Sequence, residues 1–119
     1  MIPTEYREMF FAERALIARL LSPGFPGKDE LVLQLDNALV RVIDEDGSLE
    51  FDLQSEIVAH SVKYVFPTEG IYNDLDGVKA HVLLYMQNCR AIELEFYKED
   101  GSRVSSLPEP DSVDVFSPM

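Results

Sequence analysis

Glu93 and Glu95 alternate with Leu94 and Phe96 in a run that reads as a β-strand. Both carboxylates therefore project from one side, about 7 Å apart by the rise of two extended residues. That separation suits a carboxylate pair in acid–base work. Glu50 and Asp52 repeat the pattern within Leu49-Glu50-Phe51-Asp52-Leu53. Together the four acids outline an acidic sheet surface, and Tyr97, on the side of Glu93 and Glu95, offers an aromatic anchor for a protein partner. Solvated carboxylates at this spacing repel mildly. A polar face in contact with water accounts for them more simply than catalysis does unless the strands curl around a pocket, so no catalytic residue is assigned.

The other candidates for chemistry are fewer. His81 and Tyr85 share one side of the run Val78 to Gln87, and with nearby carboxylates they would serve a ligand pocket between helices and sheet. Cys89, His60 and His81 lack the local spacing of a metal site, and no metal or cofactor is expected. No G-x-S-x-G elbow, P-loop or G-x-G-x-x-G is present. Asp44-Glu45-Asp46-Gly47 and Asp74-Leu75-Asp76-Gly77 resemble the opening of a calcium loop. The sixth and twelfth positions, which need Gly and Glu, hold Leu49 and Ser55 in the first and Lys79 and Tyr85 in the second. Both read as hairpin turns, as does Glu99-Asp100-Gly101-Ser102.

The elements that must carry these residues follow from hydrophobic period. Residues 1–10 read as a lead-in. Ala12, Leu16, Ile17, Leu20 and Leu21 recur at helical spacing over 11–21, before Ser22-Pro23-Gly24 interrupts. A second helix over 28–38 places Asp29 and Glu30 in its first turn, where the helix dipole favours acids. Period two then takes over: strands are expected over 39–43, 49–53, about 71–72, 78–87, 91–98 and 103–105, with a mixed helical-turn and strand reading for 57–66. Tight turns between successive strands imply antiparallel pairing. The expected fold is α+β: one domain over 1–119, an N-terminal helical hairpin packed on an antiparallel sheet of about five or six strands. The tail from about residue 107, with Pro108, Pro110 and Pro118, is expected to be irregular, with Val113, Val115 and Phe116 docking on the body.

Composition bounds the function. The 119 residues carry 22 acids and 10 bases, a formal net charge of −12. Residues 1–43 hold 6 acids and 5 bases, which leaves 16 acids and 5 bases for 44–119. So acidic a chain has no cationic surplus to release counterions from nucleic acid or anionic lipid, and neither is expected as a partner. The excess charge reads first as a solubilising surface that keeps a small domain apart from its neighbours; the partner it would otherwise suit is a basic protein, steered in by the field. A homodimer through a sheet edge or helix stripe is the other possibility for association. No apolar run reaches the roughly 18 residues of a membrane span. The first eleven residues do not read as a secretory signal, and the single Cys89 fits a reducing compartment, so a cytoplasmic location is expected.

Leu83-Leu84-Tyr85, Ala91-Ile92-Glu93-Leu94-Glu95-Phe96-Tyr97 and Asp100-Gly101, with Glu13 to Gly27 upstream, resemble an uncharacterised family of small bacterial proteins, a domain of unknown function. The resemblance spans about residues 11–108 and implies no catalytic role for any residue. In composition alone the chain is also similar to immunity proteins that neutralise basic nuclease toxins. The expected function is that of an acidic, non-enzymatic protein-binding module. The alternative is a small enzyme or ligand binder with its pocket near His81.

Overall fold

A hairpin of two nine-residue strands, β5 (Lys79–Gln87) and β6 (Arg90–Lys98), forms the middle of the sheet. In the computed structural model, which describes residues 5–118, this hairpin is flanked by β1 (Arg7–Glu8), β2 (Leu39–Val42), β3 (Leu49–Asp52), β4 (Glu69–Asn73) and β7 (Asp114–Phe116). The order across the sheet is β1-β2-β3-β6-β5-β4-β7, and every pairing is antiparallel. Two helices, α1 (Phe11–Leu20) and α2 (Lys28–Leu35), precede all but the first strand. The α+β architecture is as the hydrophobic periods predict, with seven strands rather than five or six.

The central hairpin turns through Asn88 and Cys89, both at positive φ (53° and 60°). This is the conformation of a two-residue turn matched to the right-handed twist of the strands. Cys89 is held in it through its carbonyl, which accepts hydrogen bonds from the Ala59 N–H (3.0 Å) and from Gln34 Nε2 (2.8 Å). Gln34 is fully buried in α2, and its Oε1 accepts from the Ala91 N–H (3.0 Å). One amide side chain thus stitches the helix layer to the sheet. Just past the turn the register shifts: Tyr85 faces Glu93 while Met86 faces Ala91, leaving Ile92 as a bulge residue. The alternation expected for Ile92, Leu94 and Phe96 is therefore broken at its first member. Ala91 takes the core position, and Ile92 is half-buried.

The core lies between helices and sheet, where Leu16, Ile17, Leu20, Leu31 and Leu35 meet Val40, Leu49, Val82, Leu84, Leu94 and Phe96. Ala12, placed in the apolar stripe by its spacing, is exposed, while Glu13 is buried. Glu13 is satisfied there: Oε1 accepts the Phe10 N–H (2.8 Å), and Arg7 grips both oxygens (2.8 and 2.9 Å). A bidentate guanidinium and an N-terminal backbone donor compensate the desolvated carboxylate. At the other end of α1 the buried Thr68 hydroxyl donates to the Leu20 carbonyl (2.7 Å). Gly70 allows this close approach, since a Cβ there would lie 2.6 Å from Val113 Cγ1 and 2.9 Å from Leu20 Cδ2.

The acidic turns hold the chain that follows β6. Asp46 Oδ1 accepts the Val104 N–H (2.8 Å), and Asp74 accepts the Ser105 N–H (2.8 Å) and the Ser105 and Ser106 hydroxyls (both 2.9 Å). Backbone donors spent on side-chain carboxylates are unavailable to a ladder, so the strand expected at 103–105 does not form. Buried Lys98 completes the cluster, 3.1 Å from Asp74 Oδ2 and 2.6 Å from Asp76 Oδ2. Burial pushes the Asp74 carboxyl up, but the backbone N–H groups of Ser105 and Leu75, the Ser106 hydroxyl and the Lys98 ammonium outweigh it and hold it far below the ordinary range.

Two further expectations are corrected. Residues 53–68, including the mixed reading over 57–66, run irregularly, with a turn at 60–61. This segment carries the chain across the sheet from β3 to β4. The tail docks on the body through buried Val113 and part-buried Val115, as expected, with Phe116 left exposed; it is not irregular throughout, since after a 3-10 turn at Pro110–Ser112 strand β7 pairs with β4. Arg19 of α1 donates to the Val113 carbonyl through Nε (3.2 Å) and Nη2 (2.9 Å). A side-chain clamp and three ladder positions, neither visible in local sequence, override the prolines.

Two substitutions test this framework. Gln34→Leu leaves the Ala91 N–H and one acceptor site of Cys89 without their partner and is expected to destabilise the fold by about 1–3 kcal/mol in urea titration. Asp74→Asn is expected to cost a similar ~1–3 kcal/mol at neutral pH. Because the native carboxyl is held low, its contribution is complete above the ordinary aspartate range and drains away as pH falls below it. The difference between wild type and Asp74→Asn should therefore shrink on acidification; a constant difference would refute the assignment.

Candidate functional site

Period-two geometry gives the sheet a second face, opposite the helices. Ala80, Val82, Leu84 and Met86 of β5 point into the core, so Lys79, His81, Leu83, Tyr85 and Gln87 point outward. Register extends this outer face across the neighbouring strands. Glu50 lies opposite Glu93, Glu93 opposite Tyr85, Glu95 opposite Leu83, and Tyr97 opposite His81. On the far side Leu83 faces Glu69, and His81 faces Ile71. Glu50, Glu93, Glu95 and Tyr97 therefore share one surface. Asp52 lies on the same side of β3, opposite Leu39 of β2, past the last paired position between β3 and β6. It stands at the end of the strip away from Tyr97.

The two carboxylates in cross-strand contact have different surroundings. Glu50 accepts a hydrogen bond from the Tyr6 hydroxyl and pairs with Arg41 (2.6 Å), whose guanidinium lies 4.8 Å from the centre of the Tyr6 ring. The Tyr6 hydrogen bond, foremost, and Arg41 hold the Glu50 carboxyl below its ordinary value against the opposing effect of burial. Glu93 has no cationic partner among the described residues. Partial burial pushes its carboxyl up, reinforced by Glu95, Glu50 and Asp44. Directly opposed like charges destabilise a sheet.

At the other end His81 stacks flat on Tyr97, with ring centres 4.7 Å apart and 5° between planes. Its Nδ1 lies 3.2 Å from Glu69 and its Nε2 2.6 Å from Glu99. Donation to both carboxylates at once requires hydrogen on both ring nitrogens. Burial raises the Tyr97 hydroxyl above its ordinary value, helped by Glu69, Glu99 and Glu95. Tyr97 remains 41% exposed, available as a contact residue.

His81 and Tyr85 do not border a space between helices and sheet, because both belong to the opposite face. A ligand at His81 would sit on the outer surface, among Glu69, Glu99 and Tyr97. The helix layer has its own apolar groove of about 330 Å³ between α1 and α2, lined by Ile17, Leu21, Val32 and Leu35. Glu69, Glu99, Tyr6 and Arg41 were not singled out by sequence. Their membership depends on pairings between distant segments, for which the local pattern carries no signal. Among the described residues no group of three or more His, Cys, Asp or Glu side chains is placed to hold a metal ion, and no helix is long and apolar enough to cross a membrane.

Glu93→Gln probes the charge on this face. A carboxyl held above its ordinary value favours the folded state when protonated, so the strain it imposes grows as pH rises from the ordinary glutamate range through the raised value. The variant is expected to be more stable than wild type by about 0.2–1 kcal/mol at neutral pH. That advantage should vanish on acidification, as read by thermal melts across pH. A loss of stability at neutral pH would show that Glu93 has a compensating partner.

No curated protein and no solved structure matches the chain. A family match covers residues 6–108, from Tyr6 at the edge of the outer face to the segment gripped by Asp46 and Asp74. The chain belongs to the family described as Domain of unknown function (DUF6984).

Proposed function

We propose that this protein is a non-enzymatic binding module whose helix-free sheet face docks a basic protein. The observation that carries the reading is the placement of Glu93 and Glu95 beside Glu50, on a face no helix covers, with no cation to neutralise Glu93 or Glu95 among the described residues. A basic partner would relieve this repulsion on docking, and the net charge of −12 would speed its approach. The role resembles that of immunity proteins in its physical logic: a small acidic body masking a basic one.

The face suits docking better than the sheet edges do. The edge strands β1 and β7 are two and three residues long, and short edges are a common way to blunt strand-to-strand association. The self-association expected as an alternative would have little ladder to use at either edge.

The test compares two triple variants of equal charge. One neutralises the face (Glu50→Gln, Glu93→Gln, Glu95→Gln). The other neutralises three exposed acids on and just after α2 (Asp29→Asn, Glu30→Gln, Asp36→Asn). In capture experiments from native lysate at low salt, the face variant is expected to lose a basic protein that wild type and the α2 variant retain. Raising the salt should weaken capture by both of the latter. Equal capture by all three proteins would refute the proposal.

A further inference from the structure

The outer face carries an aromatic pair beside Glu93, exposed Phe66 and half-buried Tyr85, and from its geometry we infer that the docked partner presents arginine, rather than lysine, to these two rings. The inference rests on the docking role proposed above and narrows it to one side-chain chemistry.

Tyr64, Val65 and Phe66 form a run of consecutive apolar residues that are 48%, 55% and 39% exposed, of which Phe66 meets the outer face while Tyr64 borders a groove with Phe25 and Pro26. Such a run is unfavourable in water unless something covers it. The Met86 N–H donates to the Val65 carbonyl (2.7 Å), holding the segment against β5, and the Phe66 ring lies 5.5 Å from that of Tyr85 at a 39° tilt. Tyr85 stands opposite Glu93 in the ladder. Two aromatic rings and a carboxylate with no cationic partner among the described residues therefore sit side by side, with strands about 4.8 Å apart.

The protein builds the same constellation twice elsewhere and fills it with arginine both times. Arg41 lies over the Tyr6 ring while bonding Glu50, and Arg7 lies over the Phe10 ring (3.8 Å) while gripping Glu13. The planar, weakly hydrated guanidinium can stack on a ring and fork onto a carboxylate together, which a compact, strongly hydrated ammonium does poorly. Phe66, Tyr85 and Glu93 supply the ring and the carboxylate but lack the guanidinium. Charge complementarity assigns that place to a partner's arginine.

Blocked arginine and lysine hexapeptides, titrated into the isotopically labelled full chain at low salt, test the inference by nuclear magnetic resonance. The arginine peptide is expected to bind about fivefold more tightly, with shifts concentrated at Phe66, Tyr85, Glu93 and Glu95. Phe66→Ala and, with less change of volume, Phe66→Leu should reduce this preference, and Phe66→Leu combined with Tyr85→Leu should abolish it. Glu93→Gln should weaken both peptides. Equal affinity of wild type for the two, or a preference undiminished by loss of both rings, overturns the arginine assignment while leaving the acidic docking face standing. Failure of both peptides to bind at low salt overturns both.

Discussion

The register of the β5–β6 hairpin is the constraint on which everything else depends. Side chains in a strand alternate sides, so a slip of one residue would carry Glu93, Glu95 and Tyr97 into the core and expel Leu94 and Phe96. The two-residue turn at Asn88 and Cys89 sets that register, and the turn is in turn held by Gln34 and Ala59. A buried amide on α2 thus has a say in which acids face water, although no acid on that face touches it. The bulge at Ile92 belongs to the same arrangement. It restores outward-facing acids after a turn that places Ala91 inward.

The excess negative charge divides into two populations with opposite physical consequences. Asp46 and Asp74, with the more exposed Asp76 beside them, are engaged by the fold itself, accepting backbone N–H groups, serine hydroxyls and the Lys98 ammonium. These carboxylates hold a strandless segment in place. Glu93 and Glu95 are left facing outward without a cation among the described residues. Glu50 stands between the two groups, on the outer face yet satisfied by Tyr6 and Arg41. Net charge alone would treat all of them alike. Geometry separates acids that stabilise the monomer from acids that strain it, and the second kind draws attention to a surface.

Much of the fold was legible in the sequence because period and turn chemistry are local. The two helices, the nine-residue strands of the central hairpin and the sharing of one face by Glu50, Glu93 and Glu95 all follow from spacing. The rest was set by contacts between distant segments. Glu13 reads as a solvated helix residue until Arg7 is brought to it from β1. Residues 103–105 read as a strand until two turn aspartates claim their N–H groups, and the proline-bearing tail reads as irregular until Arg19 fixes Val113. His81 was expected at a pocket between helices and sheet. Its outer surroundings prove to be a stacked tyrosine and two glutamates, not a helix layer.

Strand β7 pairs with Glu69, Gly70 and Ile71 of β4 through residues that lie past the end of the family match at 108. Without those few residues, β4 would show its unpaired backbone ladder to every identical molecule nearby. A short C-terminal strip thus works as a stopper, keeping an open sheet from templating its own stacking. Since Arg19 fastens that strip to α1, loosening of the first helix would be transmitted to the opposite border of the sheet as a tendency to clump.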